Sequence, residues 1–87
     1  MKPVTLFYQP RCPFCKKALG YLEELPRQEP YSRLEIRMID ALADPEVADR
    51  YDYYFVPTFY AGDKKVHEGG IMPDEVEAVL RMALDER

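Results

Sequence analysis

"FYQPRCPFCKKALGYLEEL", residues 7–25, decides the fold. It continues "VTLFY", residues 4–8, which is apolar apart from one Thr, the pattern of a strand covered on both faces in a sheet interior. Beyond Pro10 the pattern changes: Phe14, Ala18, Leu19, Leu22 and Leu25 recur at helical spacing, and Pro26 closes the segment. A central strand therefore feeds a helix, and the chain's 2 cysteines, Cys12 and Cys15, sit where that helix begins. There the unpaired main-chain N–H groups and the positive end of the helix dipole favour a thiolate over a thiol at Cys12. Arg11, Lys16 and Lys17 either add to that positive field or are ordinary solvated charges. The spacing of three puts Cys15 one turn into the same helix, within reach of Cys12 but more enclosed.

Working outward, "RQEPYSR" reads as a polar connection, and "LEIRMID" as a second strand in which Leu34, Ile36 and Met38 alternate with polar partners. In "DPEVADRY", Asp44 is placed to cap a short helix with Pro45 at its first position. "FVPTFY" and "KKVHEG" flank "AGDK", which predicts a hairpin with a tight Gly-Asp turn. Pro73, Asp74 and Glu75 then supply first-turn chemistry for a last helix whose apolar stripe is Val76, Val79, Leu80, Ala83 and Leu84. The order is β-α-β-α-β-β-α, without internal repeat, low-complexity tract or long linker.

At 87 residues the expectation is one domain, 1–87, built around one small core. A hydrophobic content of 47% with 13% aromatic residues is that of a folded globular chain, and no apolar run approaches the length of a membrane span. No secretory signal is apparent in "MKPVTLFYQP", so the cytoplasm is the expected compartment. A formal charge of −4 lacks the basic footprint that phosphate contacts require, which argues against nucleic acid and anionic membrane as partners.

Five readings of the cysteine pair compete. A structural staple is the poorest, because a disulfide from Cys12 to Cys15 closes too short a loop to constrain the unfolded chain. A closed zinc site wants four ligands, and besides carboxylates this chain adds only His67, so a metal or iron–sulfur site would need cysteines pooled between subunits. Two further readings take the pair as two buried apolar residues, or as a disulfide that gates a binding partner. A reactive pair fits the placement best: Cys12 attacks a disulfide, and Cys15 resolves the mixed disulfide that results.

The residues also carry a likeness. "FYQPRCPFC" before a helix, then "VPT" opening a hairpin, then "GG" before a last helix, resembles the glutaredoxins of the thioredoxin-fold superfamily over nearly the whole chain. The resemblance implies an α/β fold with a central four-stranded mixed sheet flanked by three helices. It further implies a monomeric disulfide oxidoreductase with Cys12 as nucleophile, Cys15 as resolving cysteine and no bound cofactor. Disulfide-containing proteins would be its substrates, with glutathione or a thioredoxin reductase as electron donor. Pro57 would be a cis-proline facing the cysteines, with Val56 presenting its backbone to an extended substrate; the residues alone favour a trans proline at a strand start. Arg11, Pro13, Phe14, Gly69 and Gly70 complete the implied substrate surface, although the two glycines also suit a plain turn. The chain departs from the family at Gln9, where a basic residue is common, and at Met72, where an acid is common. It departs from thioredoxins in lacking Trp and in having Leu6 where they bury an aspartate. The cluster "YDYYF", residues 51–55, either lines a substrate groove or covers the core. His67 reads as an ordinary edge histidine.

Overall fold

The computed structural model describes residues 2–85. Four strands, β1 (Val4–Tyr8), β2 (Ile36–Asp40), β3 (Thr58–Ala61) and β4 (Lys64–Glu68), form one sheet in the order β2-β1-β3-β4. The helices are α1 (Pro13–Glu24), α2 (Pro45–Ala48) and α3 (Pro73–Asp85). Because α1 carries the chain back across the sheet, β1 and β2 run parallel, with Leu6 beside Met38. The β1–β3 and β3–β4 pairs are antiparallel. The mixed four-stranded sheet with three helices is the architecture the resemblance implied.

Alternation along β1 builds two cores. Val4 and Leu6 join Phe59 and Ala61 in packing against Ala18 and Leu22 of α1 and Val76, Val79, Leu80 and Ala83 of α3. Phe7 points the other way, with Tyr60, Ala48 and the half-buried Tyr51 and Tyr53. The Phe7 ring stacks on Tyr53 at 5.1 Å and meets Tyr60 edge-on at 5.8 Å. The cluster "YDYYF" thus divides: Tyr51 and Tyr53 are core cover, while Tyr54 and Phe55 are 85% and 68% exposed.

Several local expectations need correction. Strand β2 begins at Ile36; Leu34 lies before it in the core, and Met38 is 49% exposed because β2 is an edge strand. The polar stretch before β2 is not merely a connection. Its Tyr31 is buried, with the hydroxyl donating to Glu77 Oε2 of α3 at 2.6 Å and accepting from Arg81 Nε at 2.9 Å. Pro26 does not end helical structure outright but sits inside a 3₁₀ turn, Leu25–Arg27. Helix α2 is one turn long, and Asp44, at its N-cap, makes no side-chain capping bond. Asp40 supplies the side-chain acceptor nearby, its Oδ1 taking the N–H groups of Leu42 and Ala43 at 2.9 and 3.1 Å.

Candidate active site

Helix α1 starts where the sequence pattern placed it. Cys12 is the N-cap, extended at φ −79° and ψ 122°, with Pro13 at the first helical position. Proline is suited there because its missing N–H would have no partner in any case. A turn closed by the Cys12 N–H on the Gln9 carbonyl at 3.1 Å sets the cysteine at the end of the chain's exit from β1. Both cysteines are free thiols; Cys12 is half-exposed and Cys15 is buried.

Their environments drive the two acidities apart. The Cys12 pKa lies below its ordinary value, first because the Cys15 main-chain N–H favours the anion, and then through the Cys15 side chain and the Phe14 N–H; burial opposes them. The Cys12 side chain makes no capping bond to the helix N-terminus, so the N–H groups act on it at longer range, where they favour an anion. None of the causes is a basic side chain. Arg11, Lys16 and Lys17 are exposed, which is the solvated-charge reading of the three. The Cys15 pKa is pushed up to about 11, chiefly by burial and then by the neighbouring Cys12, against the Gln9 main-chain N–H that donates to its sulfur at 3.4 Å. Among the described residues no carboxylate acts on Cys15, and Leu6 is fully buried in β1.

Facing the helix N-terminus is the loop that enters β3. The Val56–Pro57 peptide is cis, and the Cys12 thiol donates a long contact of 4.0 Å to the Val56 carbonyl. The loop after β4 closes the other side. The Gly69 N–H donates to the Pro57 carbonyl at 2.8 Å, and Gly69 has a left-handed φ of 94°. Gly70 lies against the Phe14 ring, whose Cδ1 is 3.3 Å from where a β-carbon would stand. A run of contacts thereby links Cys12 to Val56 and Pro57, Pro57 to Gly69, and Gly70 to Phe14. Arg11 and Pro13 are exposed, on either side of Cys12 in the sequence. A second cis peptide, Glu29–Pro30, lies in the segment before β2.

Sequence reasoning missed two neighbours. His67 Nε2 is 2.9 Å from the Gly70 carbonyl, and Glu68 accepts the main-chain N–H groups of Tyr54 and Phe55. No sequence motif marks either residue; only the meeting of two loops at the end of β4 does. The rim of the site is apolar, with Phe14, Tyr54, Phe55 and Met72 all well exposed. Among the described residues no three or more His, Cys, Asp or Glu side chains are grouped to hold a metal ion, and no helix is long and apolar enough to cross a membrane.

No protein-family model and no curated protein sequence matches the chain. Solved structures do. Oxidised thioredoxin from Plasmodium falciparum is 20% identical with a TM-score of 0.72, over 91% of this chain and 77% of that one. Reduced desulfothioredoxin from Desulfovibrio vulgaris Hildenborough is 26% identical with a TM-score of 0.70, over 93% of this chain and 80% of that one. A structure described as a malarial protein is 14% identical with a TM-score of 0.73, over 93% and 94%. The chain has the thioredoxin fold, with Cys12 and Cys15 close together at the start of its first helix.

Proposed function

We propose that this thioredoxin-fold chain is a dithiol thiol–disulfide oxidoreductase, glutaredoxin-like in its C-P-F-C sequence, that reduces disulfides of polypeptides. The observation that carries the reading is the placement of the pair within one turn of helix, a half-exposed Cys12 at the N-terminus beside a fully buried Cys15, which lowers the pKa of the first and raises that of the second. The thiolate is the attacking species, so the division assigns the order of events.

Cys12 Sγ attacks one sulfur of the substrate disulfide. The substrate S–S bond breaks, its other sulfur leaves as a thiolate and takes a proton from solvent, and a Cys12–substrate disulfide forms. In that intermediate Cys12 carries no charge and accepts no hydrogen bond from Cys15, so two of the causes that raise the Cys15 pKa disappear while the Gln9 N–H remains. Cys15 therefore becomes easier to ionise once it is needed. Its thiolate attacks Cys12 Sγ, expels the second substrate thiol, and leaves a Cys12–Cys15 disulfide holding the two electrons' worth of oxidation. An external thiol donor, either glutathione or a flavin-dependent thioredoxin reductase, returns the pair to dithiol.

An extended substrate has a docking edge in the Val56 backbone and apolar contacts in Phe14, Tyr54, Phe55 and Met72. The same rim argues for a polypeptide rather than glutathione alone, whose carboxylates and amine would meet Gln9 and Met72 where glutaredoxins often offer charges. The test is a pair of variants. Cys12→Ser abolishes reduction of a disulfide-bonded peptide, whereas Cys15→Ser retains attack and accumulates a mixed disulfide detectable by mass spectrometry. Wild-type turnover in Cys12→Ser would falsify the assignment. Running the wild type with glutathione and, separately, with a thioredoxin reductase identifies the donor.

A further inference from the structure

The two loops that face Cys12 hang from one place. His67 and Glu68, the last two residues of β4, point to opposite faces of the sheet as consecutive strand residues must. Their partners lie in two different loops, one entering β3 and one following β4. On one face, Glu68 Oε2 accepts the N–H groups of Tyr54 and Phe55, the latter at 2.9 Å, immediately before Val56 and Pro57. On the other, His67 Nε2 meets the Gly70 carbonyl at 2.9 Å, while Nδ1 is 3.9 Å from Glu75 Oε2 in the first turn of α3.

A register irregularity makes this possible. Phe59 pairs with His67 but Tyr60 pairs with Lys65, so Val66 is an extra residue. In a regular strand, residues three apart face opposite ways; the bulge turns Lys65 and Glu68 to the same face, and Lys65 Nζ pairs with Glu68 Oε1 at 2.8 Å. The carboxylate is thus held by one oxygen and holds the loop with the other. Lys65 first, then the Tyr54 and Phe55 N–H groups, push its pKa down to about 2, so it stays an anion throughout the working range.

From this geometry we infer that Glu68 and His67 are positioning residues for the disulfide-exchange reaction: Glu68 sets the Val56–Pro57 edge, and His67 sets the Gly69–Gly70 turn, at their distances from Cys12 Sγ. The inference rests on the proposed oxidoreductase activity but concerns residues that touch neither sulfur. Neither side chain meets the substrate's reacting atoms. Each acts through the main chain of a loop that does, and the loops are also tied to each other by the Gly69 N–H on Pro57.

The experiment compares Glu68→Ala with Glu68→Gln, and His67→Leu with His67→Gln, on the full chain. Three readouts are taken: kinetics with a disulfide-bonded peptide, kinetics with bis(hydroxyethyl) disulfide, and amide hydrogen exchange at Tyr54, Phe55 and the 69–71 turn. Glu68→Ala raises KM for the peptide about tenfold with kcat little changed, the scale of losing about one main-chain hydrogen bond to the bound substrate. It leaves the small disulfide, which needs no loop, near wild type, and it speeds exchange at Tyr54 and Phe55. Glu68→Gln recovers most of the loss because its amide oxygen still accepts an N–H. His67→Leu weakens peptide binding in the same direction and loosens the 69–71 turn, and His67→Gln, which retains a donor for the Gly70 carbonyl, restores both. Unchanged peptide KM and unchanged exchange in the alanine and leucine variants overturn the inference, as does an equal loss toward both disulfides. Absence of any disulfide turnover in the wild type defeats the proposed activity instead; the exchange rates then decide by themselves whether the two side chains hold the loops.

Discussion

Alkaline pH should destabilise the reduced protein through one thiol. Cys15 has its pKa raised to about 11 from an ordinary value of 9.0, first by burial and then by Cys12. Between these two values the unfolded chain has released the Cys15 proton and the folded chain still holds it, so the folded state binds more protons and unfolding becomes easier as pH rises. Below pH 9 the group contributes no pH dependence; above about 11 the loss is complete. Two pH units correspond to about 3 kcal/mol in full, of which about 2 kcal/mol is lost by pH 10.5. A domain of this size is expected to have a total stability of roughly 4–13 kcal/mol, so the effect is large enough to measure. Tyrosines and lysines also titrate in this range, and the comparison must remove them. Urea unfolding of the wild type and of Cys15→Ser, both kept reduced, is run at pH 8 and at pH 10.5. The expected result is that the wild type loses about 2 kcal/mol more than the variant over that interval. Equal losses in the two proteins would show that Cys15 ionises no less readily folded than unfolded, and the acidity split beneath the proposed mechanism would go with it.

The same split predicts selective chemistry. At pH 7 a thiol of pKa about 11 is ionised to about one part in ten thousand, against about one in a hundred at the ordinary value. Iodoacetamide should therefore modify Cys12 alone in the folded reduced protein, with Cys15 reacting only after denaturation, as read by peptide mass spectrometry; comparable labelling of both in the folded state contradicts the burial of Cys15. Gly69→Ala should cost about 1–2 kcal/mol in denaturant unfolding, since φ of 94° disfavours any β-carbon while nothing lies within 4 Å to be struck, so the penalty is in the backbone. Stability equal to wild type would mean that the turn readily adopts another conformation.

Much of this molecule is legible in its residues. An apolar five-residue run can be satisfied only between two neighbours, so "VTLFY" is a central strand by its own composition, and β1 does lie between β2 and β3. The α1 and α3 stripes follow from helical periodicity, and Val76, Val79, Leu80 and Ala83 are buried as that spacing requires. The position of Cys12 at a helix start follows equally from local pattern, because the strand-to-helix switch and Pro13 are both in the immediate sequence. Tyr31 was not legible. Its polar neighbours mask it, and only the arrival of α3 with Glu77 and Arg81 gives its hydroxyl partners and its ring a place in the core.

The chain's own order of residues thus sets most of its elements, its strand-to-helix junction and the placing of both cysteines at that junction, since each rests on contacts among residues a few positions apart. Tertiary structure alone decides how deeply Cys15 is buried and what confronts Cys12. Burial of Cys15 depends on helix α1 packing against the sheet, and the Val56 carbonyl reaches Cys12 from 44 residues away. The division of "YDYYF" into core and rim, and the anchoring of two distant loops by His67 and Glu68, arise in the same way: a bulge in β4 and the meeting of chain segments set which side chains share a face, and short-range periodicity carries no record of that.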